Sequence, residues 1–275
     1  MVMTRIELRD LSFGYDGGMV FSDVSAVFDR PELVCILGPN GVGKTTLVKC
    51  INRLLRPVSG SVEIDGVDIS SMGLVDLARR MAYVPNSSSS VFAMSVAEAV
   101  LMGRHPHSSW TTSDHDMDIA ERAMETMDLH ELSSRDIREL SAGQMQRVMI
   151  ARGLAQEPDV LILDEPTSNL DVRYQMDVMR FLKRYAREND VIVMMVCHDL
   201  NITAAYADRV LLMYGGRIYA DGTASEVITE ENISAVYDVR SKVLDMDGIP
   251  HVVLLPEVDR CRGRSSRPSW PSLSS

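Results

Sequence analysis

Hydrophobic residues near the N-terminus follow the alternating pattern of half-buried strands. Ile6 and Leu8 alternate with polar neighbours, and the stretch SVEIDGVDI (61–69) repeats the alternation around Asp65-Gly66. An Asp-Gly pair between alternating hydrophobic positions favours a two-residue hairpin turn. We therefore predict antiparallel strands in the first part of the chain.

Three further stretches are apolar without interruption, namely LVCIL (33–37), VLIL (160–163) and VIVMMVC (191–197). Such runs are typical of strands covered on both faces, as strands of parallel sheets are. Amphipathic helical stripes lie beside two of them. The first stripe consists of Leu47, Ile51, Leu54 and Leu55, before Pro57, and the second of Val178, Phe181, Leu182 and Tyr185. This alternation predicts an α/β fold around a parallel core sheet.

The middle and the end of the chain depart from this pattern. Over residues 87–157 there are helical stripes but no long apolar strand, which predicts a helical subdomain inserted into the core. Further on we expect a strand pair around Gly215-Gly216 and a helix over 226–238. The last residues, 257–275, are rich in Ser, Arg and Pro, and we expect them to be disordered.

The charge balance restricts the class of partner. The chain has 275 residues, of which 28 are basic and 39 acidic, a net charge of -11 and a pI near 5.0. Such an acidic chain has no electrostatic footprint for DNA or RNA, so we expect no nucleic-acid partner. The start, MVMTRIELRD, differs from a secretory signal, and no apolar run approaches the roughly 20 residues that cross a bilayer. The expected location is therefore the cytoplasm.

The four cysteines are scattered along the chain and form no C-x-x-C pair. They are Cys35, Cys50, Cys197 and Cys261, and the first and third of these lie inside apolar runs. We expect reduced thiols that belong mostly to the core.

The stretch GPNGVGKTT (38–46) is the most specific motif. Gly38, Gly43, Lys44 and Thr45 occupy the fixed positions of G-x-x-x-x-G-K-[ST], between an apolar strand and an amphipathic helix. The glycines let backbone N–H groups turn toward phosphates, and the helix N-terminus adds its positive dipole end. Lys44 reaches the outer phosphates, and the Thr45 hydroxyl can hold Mg²⁺. The alternative is a glycine-rich turn without a ligand, which the complete motif in this context argues against.

Two carboxylates and a histidine follow the other apolar strands. Asp164 and Glu165 end the second run, and we expect the phosphate loop at the end of a neighbouring parallel strand, where ligands of open α/β sheets gather. We assign Asp164 to the Mg²⁺ shell and Glu165 to general base catalysis on the attacking water. His198 ends the third run and is interpreted as a γ-phosphate sensor. The alternatives are solvated carboxylates and a structural histidine.

A second anion site is indicated by LSAGQMQRV (140–148). Ser141 and Gln144 have the spacing of a capping box, so one interpretation is an ordinary helix start. A serine-capped helix N-terminus with Gly143 beside it also suits an anion, and the two interpretations are compatible. Because the first site has its own phosphate loop, this second site requires a phosphate from elsewhere.

Together these motifs resemble those of the ATP-binding cassette (ABC) ATPases over about residues 4–240. GPNGVGKTT is similar to their Walker A motif, VLILDE to their Walker B motif, and LSAGQ to their signature, with Ala142 where glycine is commoner. SNLD (168–171) is similar to their D-loop, and His198 to their switch histidine. The resemblance implies a P-loop NTPase fold with a mixed parallel core sheet, an N-terminal antiparallel β subdomain and an inserted helical subdomain.

The resemblance implies that ATP and Mg²⁺ bind here, that Tyr15 stacks on adenine, and that Lys44, Glu165 and His198 are catalytic. The implied Walker A contacts to ATP are Gly38, Pro39, Asn40, Gly41, Val42, Gly43, Lys44, Thr45 and Thr46. The implied signature residues are Ser141, Ala142, Gly143 and Gln144, and the implied D-loop residues are Ser168, Asn169, Leu170 and Asp171.

Asn86 departs from the family pattern. The family has a glutamine after YVP, the Q-loop, which links the nucleotide to the membrane partner, whereas this chain has Asn86. The amide is kept with one methylene fewer, so the same contacts with Mg²⁺ and water require the loop to move inward. The resemblance implies a Mg²⁺ shell of Thr45, Asn86 and Asp164.

The resemblance also implies partners. Two cassettes of this family dimerise head to tail, so that Ser141 of one chain meets the γ-phosphate held by Lys44 of the other. This arrangement would supply the phosphate that the second anion site requires. The implied partners are thus a second copy of the chain and transmembrane permease subunits at the inner face of the cell membrane. An extracytoplasmic substrate-binding protein is an indirect partner.

Within the family, LMGRHPH (101–107), the signature and GTASEVITEENISAVYDV (222–239) are most similar to the cassettes of iron-siderophore, haem or cobalamin importers. One alternative is an ABC ATPase of another transporter class. Another is a weakly hydrolysing regulatory module, which intact Glu165 and His198 argue against. A third, a cassette protein acting on ribosomes or DNA, conflicts with the single cassette and the acidic pI. The expected domains are an ATP-binding domain (4–240), a C-terminal extension (241–256) and the tail.

Overall fold

The computed structural model describes residues 3–86, 93–107, 112–168 and 170–256. Several sequence-based expectations lie outside these ranges. They concern Asn169 of the D-loop, the serines at 87–90, Cys261 and the tail 257–275.

The described residues form strands and helices that are numbered here in chain order. The strands are β1 (Ile6–Tyr15), β2 (Gly18–Phe28), β3 (Leu33–Leu37), β4 (Ser59–Ile64), β5 (Val67–Asp68), β6 (Met81–Val84), β7 (Val160–Asp164), β8 (Ile192–Val196), β9 (Arg209–Tyr214), β10 (Arg217–Gly222), β11 (Ser241–Met246) and β12 (Ile249–Leu254). The α-helices are α1 (Lys44–Ile51), α2 (Leu74–Arg80), α3 (Val96–Leu101), α4 (Asp114–Thr126), α5 (Ala142–Ala155), α6 (Val172–Glu188), α7 (Leu200–Tyr206), α8 (Ala224–Val227) and α9 (Glu230–Tyr237).

The N-terminal strands form an antiparallel sheet with the order β2-β1-β4-β5. The turn between β4 and β5 consists of Asp65 and Gly66, whose φ angles are 52° and 79°. Both residues are left-handed, as a two-residue hairpin turn between twisted strands requires. The predicted antiparallel strands and the predicted hairpin are confirmed.

The core sheet has six strands in the order β10-β9-β3-β8-β7-β6. Its strands are parallel except for β10, which pairs with β9 in the antiparallel sense around Gly215-Gly216. The predicted parallel sheet is confirmed. The expectation that the phosphate-loop strand β3 neighbours β7 is wrong, because β8 lies between them. Since all three strands run in one direction, their carboxyl ends still meet at the same edge.

The uninterrupted apolar runs are explained by two hydrophobic clusters, one on each face of the core sheet. In β3 the side chains of Leu33, Cys35 and Leu37 belong to a cluster that also includes residues of α3 to α9. Val34 and Ile36 belong to a second cluster, shared with α1 and the antiparallel sheet. The side chains of these strands are therefore buried on both faces of the sheet, so every position in a strand favours an apolar residue.

Helix α1 is shorter than its hydrophobic stripe predicts. It ends at Ile51, and Arg53 is left-handed with a φ of 55°. The Arg53 guanidinium donates a hydrogen bond of 2.7 Å to the carbonyl oxygen of Met72, and Leu54 is 55% exposed. The contact with Met72 holds the chain in this turn, so Leu54 and Leu55 do not continue the helix.

Helices α3, α4 and α5 occupy the region where the sequence predicts helical stripes. Each begins with a capping box, at Ser95, Ser113 and Ser141 respectively. Arg104 is buried beside these helices, and its Nε donates to Asp116 at 3.0 Å. Its NH1 group donates to the carbonyl oxygen at the end of α5 at 2.8 Å. The buried guanidinium thus joins α4 to the end of α5.

The C-terminal part contains more elements than predicted. The predicted helix over 226–238 is divided into the end of α8, which stops at Val227, and α9. Thr229 caps α9 by accepting a hydrogen bond from the Asn232 N–H. The strands β11 and β12 follow as an antiparallel hairpin. In the described part of the chain no helix is long and apolar enough to cross a membrane.

The cysteines that the structure describes are free thiols in the interior. They are Cys35, Cys50 and Cys197. Burial raises the pKa of Cys50 to about 12, which keeps this thiol protonated. The prediction of reduced core thiols is confirmed for these residues.

Candidate nucleotide-binding site

The phosphate loop connects β3 to α1 through glycines that no other residue can replace without strain. Gly38 and Gly43 have φ angles of 148° and 103°. A Cβ atom on Gly38 would lie 2.4 Å from the carbonyl oxygen of Met213, and one on Gly43 would lie 2.8 Å from a methyl group of Val20. The neighbouring strands therefore press against the loop, which keeps its backbone in one conformation.

Lys44 lies inside this loop, at the first position of α1, and is 5% exposed. Its Nζ donates hydrogen bonds to the carbonyl oxygens of Gly38 and Pro39, at 2.7 and 2.9 Å. Burial lowers the pKa of Lys44, while the charges of Glu165 and Asp164 act in the opposite direction. The ammonium group is thus held at the mouth of the loop, beside both carboxylates.

Thr45 and Asp164 meet although 119 positions separate them. The Thr45 hydroxyl donates to Oδ1 of Asp164 at 2.8 Å, and Asp164 is 4% exposed. The hydroxyl of Tyr83, on β6, donates to Oδ2 of the same carboxylate at 3.2 Å. Burial first, and then the charge of Asp164, raise the pKa of Tyr83, which keeps its hydroxyl protonated as a donor.

Tyr83 is a site residue that sequence reasoning missed. It lies in the stretch YVPN (83–86), so its nearness to the Q-loop position was a possible signal. Only the pairing of β6 with β7 brings its ring to Asp164.

The oxygen pair of Thr45 and Asp164 fits the Mg²⁺ expected from the sequence. Mg²⁺ prefers hard oxygen ligands and is usually held by one or two carboxylates together with phosphates and waters. A buried carboxylate with a hydroxyl 2.8 Å away, at the start of the phosphate-loop helix, provides this donor set.

Glu165 follows Asp164 in a left-handed conformation, with a φ of 51°. This turn directs its side chain to two partners. Oε1 contacts Nε2 of His198, which follows β8. Oε2 accepts a hydrogen bond of 2.9 Å from the Asn86 amide. The structure therefore brings the predicted base, the predicted sensor and the Q-loop residue into one cluster.

Asn86, which the resemblance implies as a Mg²⁺ ligand, contacts Glu165 and the D-loop in this structure. Its amide nitrogen binds Glu165, and its amide oxygen accepts a hydrogen bond of 3.1 Å from the Ser168 hydroxyl. The same hydroxyl oxygen lies 3.0 Å from the backbone carbonyl oxygen of Glu165, so its one proton is shared between the two acceptors. Both ends of the Asn86 amide are thus directed at Glu165 and the D-loop, whereas Thr45 contacts Asp164.

The signature residues line a separate cavity of about 440 Å³. Ser141 is the N-cap of α5, and its hydroxyl accepts from the Gln144 N–H. The D-loop residues Leu170 and Asp171 line the same cavity, which the phosphate-loop residues do not. A Cβ atom on Gly143 would lie 3.2 Å from Leu170, so a larger residue there would displace the D-loop. The predicted capping box is confirmed, and it lies apart from the phosphate loop, while anion binding there stays a prediction.

Arg147 and Tyr174 complete the lining of this signature cavity, and sequence reasoning missed both. The Arg147 guanidinium lies 5.6 Å from the centre of the Tyr174 ring. The spacing of Arg147 after Ser141 places it on the next helical turn, but its pairing with Tyr174 depends on how α5 and α6 pack.

Tyr15 lies at the end of β1 and is 60% exposed. The centres of its ring and the Phe13 ring lie 4.9 Å apart in a T-shaped arrangement. The hairpin of β1 and β2 touches the phosphate loop through Val20 and Gly43. An exposed aromatic face on this hairpin is compatible with the stacking role that the resemblance implies.

Comparison with known proteins agrees with this geometry. A family model described as ABC transporter matches residues 21–168. The uncharacterised ABC transporter ATP-binding protein MJ0089 of Methanocaldococcus jannaschii is 39% identical over 92% of this chain and 99% of its own length. The hemin import ATP-binding protein HmuV of Bordetella avium is 37% identical over 87% of this chain and 94% of its own length. The cobalamin import ATP-binding protein BtuD of Halobacterium salinarum is 35% identical over 93% of this chain and 64% of its own length.

Solved structures show the same fold. One chain of a metal-chelate type ABC transporter, solved in an inward-facing conformation, superimposes on this chain with a TM-score of 0.80. The two are 28% identical, and the match covers 92% of this chain and 98% of that one. The dimeric structure of MJ0796, a bacterial ABC transporter cassette, gives a TM-score of 0.73 with 25% identity, covering 80% of this chain and 98% of that one. The chain described here therefore belongs to the ABC transporter family and is one of its ATP-binding, P-loop ATPase subunits.

Proposed function

We propose that this ATPase subunit powers the import of a metal chelate of the iron-siderophore, haem or cobalamin type through a separate membrane permease. The observation that carries the proposal is the cluster of Glu165, His198 and Asn86 at the edge of the core sheet, beside the Thr45–Asp164 pair. The substrate class is supported by relatives whose names describe hemin and cobalamin import and by a structural neighbour of metal-chelate type.

In the proposed site the residues 38–46 bind the phosphates of ATP, with Lys44 at the outer ones, and Tyr15 stacks on adenine. Thr45 and Asp164 would hold Mg²⁺, which would supply positive charge to neutralise the phosphates. Asn86 reaches this shell only if its loop moves, because its amide is bonded to Glu165 and Ser168.

Glu165 acts as the general base in this proposal. Its carboxylate accepts the proton of the water that attacks the γ-phosphate, and the His198 ring beside Oε1 keeps the carboxylate oriented toward that water. Asn86 donates to the other oxygen, so a movement of its loop changes the position of the base. This link is a physical route from a permease contact to the rate of hydrolysis.

The signature cavity completes the site of a second copy in our proposal. Ser141, Ala142, Gly143 and Gln144 form a helix N-terminus that suits an anion, yet Lys44 is not in the lining of their cavity. A head-to-tail dimer would place the γ-phosphate of one chain against this N-terminus of the other. The dimeric cassette among the solved structures supports this arrangement.

The proposed organisation follows the sequence. Residues 4–240 form the ATP-binding domain, with a helical subdomain over about 87–157, and residues 241–256 form a C-terminal extension. The subunit lies in the cytoplasm against the inner face of the membrane. Its partners are a second copy, permease subunits and, indirectly, an extracytoplasmic substrate-binding protein, without nucleic acid.

The test is purification of the tagged full-length chain from membranes, identification of the bound subunits, and assay of the complex with each chelate class. We expect a transmembrane permease to co-purify and its chelate to be transported only with ATP. Lys44→Ala serves as the control, because it should keep the permease and lose transport. A complex that transports another class of solute would contradict the substrate class, and recovery without any membrane subunit would contradict the transport role.

A further inference from the structure

Helix α7 begins directly after the residue that we assign as the γ-phosphate sensor. Only Asp199 separates His198 from the first residue of the helix, and the Asp199 side chain accepts a hydrogen bond of 2.8 Å from the Ile202 N–H. The cap joins the segment after β8 rigidly to the first turn of α7. The position of α7 therefore sets the position of the His198 ring.

Asn201 joins α7 to the C-terminal hairpin. Its amide oxygen accepts a hydrogen bond of 2.7 Å from the Val252 N–H, and its amide nitrogen donates one of 3.2 Å to the Val252 carbonyl oxygen. One side chain thus satisfies both polar groups of a residue in β12, as a neighbouring strand would. Because the geometry is bidentate, it restricts both translation and rotation of the helix.

Apolar packing surrounds this contact. Val252 is 6% exposed and belongs to the same buried cluster as Ala204 of α7 and Cys197, the residue before His198. Val227 of α8 lies in this cluster as well. The hairpin is therefore packed against the back of the helix that follows the sensor.

Tyr237, the last residue of α9, also packs against this cluster. Its hydroxyl is buried and has no hydrogen-bond partner among the described residues. Burial raises the pKa of Tyr237 to about 12, so the hydroxyl stays neutral.

We propose that residues 223–254 form a brace that positions the catalytic edge of the sheet, and that Asn201 is the positioning residue for His198. The proposal rests on the sensor role proposed above for His198. It assigns a task in hydrolysis to a part of the chain that contains none of the nucleotide motifs. In this role Asn201 touches neither the nucleotide nor water, and it acts through the orientation of α7.

The test is the steady-state kinetics of full-length Asn201→Ala with Mg²⁺ and ATP. We expect kcat to fall about 10- to 100-fold, since a displacement of about 1 Å in a reacting group has effects of that size. The KM for ATP should change by less than about twofold, because residues 38–46 bind the phosphates without help from α7.

Asn232→Ala is the matched control. The Asn232 side chain donates a hydrogen bond of 2.9 Å to the carbonyl oxygen of Val227, and this bond joins α9 to α8 and does not involve α7. This variant should lose thermal stability to a similar extent while its kcat stays at the wild-type value. Equal losses of kcat in Asn201→Ala and Asn232→Ala would overturn the positioning role.

A double-mutant cycle decides whether Asn201 acts through His198. In a His198→Ala background, Asn201→Ala should lower kcat by less than about twofold, because residues that act as a unit are not additive. If Asn201→Ala lowered kcat about 10- to 100-fold in the His198→Ala background as well, the proposal would be overturned. If Asn201→Ala does not fold, the isosteric Asn201→Asp keeps the acceptor and loses the donor, and it should lose kcat in the same His198-dependent way.

Failure of this inference is distinguishable from failure of the proposed function. If the wild-type chain hydrolyses ATP and His198→Ala lowers kcat while Asn201→Ala leaves kcat unchanged, only the brace is wrong. If His198→Ala is as active as the wild type, the sensor role fails and the brace fails with it.

Discussion

Glu165 combines an unfavourable backbone conformation with three polar neighbours. A non-glycine residue at a φ of 51° costs on the order of 1–3 kcal/mol and persists only where its surroundings hold it. Here the Asn86 amide, the His198 ring and the hydrogen bond from Ser168 to the Glu165 carbonyl provide that support. The strain is explained if the turn is needed to direct the carboxylate away from Asp164, so that one acid holds the metal and the other handles the proton.

Replacing Glu165 by glutamine tests this division of roles. The amide cannot accept a proton, so steady-state phosphate release should fall by about 10²–10⁴-fold while ATP binding is retained. Phosphate release and equilibrium nucleotide binding measure the two effects. Glu188→Gln, at an exposed position of α6, is the control and should keep full activity. Normal turnover of Glu165→Gln would remove Glu165 from the mechanism.

Asn86 is tested by a pair of substitutions in the assembled complex with the permease. Asn86→Ala removes the contacts with Glu165 and Ser168, so the stimulated ATPase rate should fall about 10-fold or more. The ATP Kd should stay within about twofold, because the phosphate loop is untouched. Asn86→Gln keeps the amide and should retain more of the stimulated rate. Identical rates for Asn, Gln and Ala would show that the side chain is only a spacer.

At the scale of elements, the phosphate loop depends on what packs against it. Its glycines lie between the end of β3 and the strands β2 and β9, and their conformations are positive in φ. The loop is therefore shaped by contacts from distant parts of the chain.

Gly43→Ala measures this dependence. The new Cβ would lie 2.8 Å from Val20 and the residue would remain left-handed, so the free energy of unfolding should fall by about 2–4 kcal/mol in urea titrations. ATP affinity should fall with it. Gly66→Ala has a similar positive φ of 79° but no atom within 4 Å of its Cβ. This control should cost only about 1–2 kcal/mol and leave ATP affinity unchanged. Equal losses in the two variants would contradict a role for the Val20 contact.

At the scale of the whole molecule, the phosphate-loop cluster and the signature cavity lie apart from each other in one chain. Lys44, Glu165 and His198 form one cluster, while Ser141 lies in a cavity that these residues do not line. The head-to-tail dimer that we propose joins each cluster to the signature cavity of the other chain, so every complete site has residues from both copies.

Mixing two inactive variants tests the shared site. Lys44→Ala and Ser141→Arg should each be inactive alone. In a mixed dimer both defects lie at one site and the other site is intact. If assembly is random, about half of the dimers are mixed, so an equal mixture should recover about a quarter of the wild-type rate of phosphate release. The activity is measured across mixing ratios. If each chain carried a complete site, no mixture would recover activity.

The sequence by itself determined the features that depend on neighbouring positions. The apolar runs 33–37, 160–163 and 191–197 are buried strands, Asp65-Gly66 is a hairpin turn, and Ser141 caps a helix. Periodicity, turn propensity and capping act over a few residues, so the printed sequence contains them. The phosphate loop was equally accessible, since its motif has fixed spacing and a defined strand-to-helix context.

Only the tertiary structure decided which strands are neighbours and which side chains meet. Sheet order places β8 between β3 and β7 and brings Tyr83 to Asp164. The hydrogen bond between Asn86 and Glu165 joins residues 79 positions apart, and the one between Asn201 and Val252 joins residues 51 positions apart. The hydrophobic stripe predicts that α1 continues to Leu55, but the helix ends at Ile51, where Arg53 forms a tertiary contact with Met72. Such contacts arise when separate elements pack on a common core, and no local pattern encodes which of several compatible neighbours that packing selects.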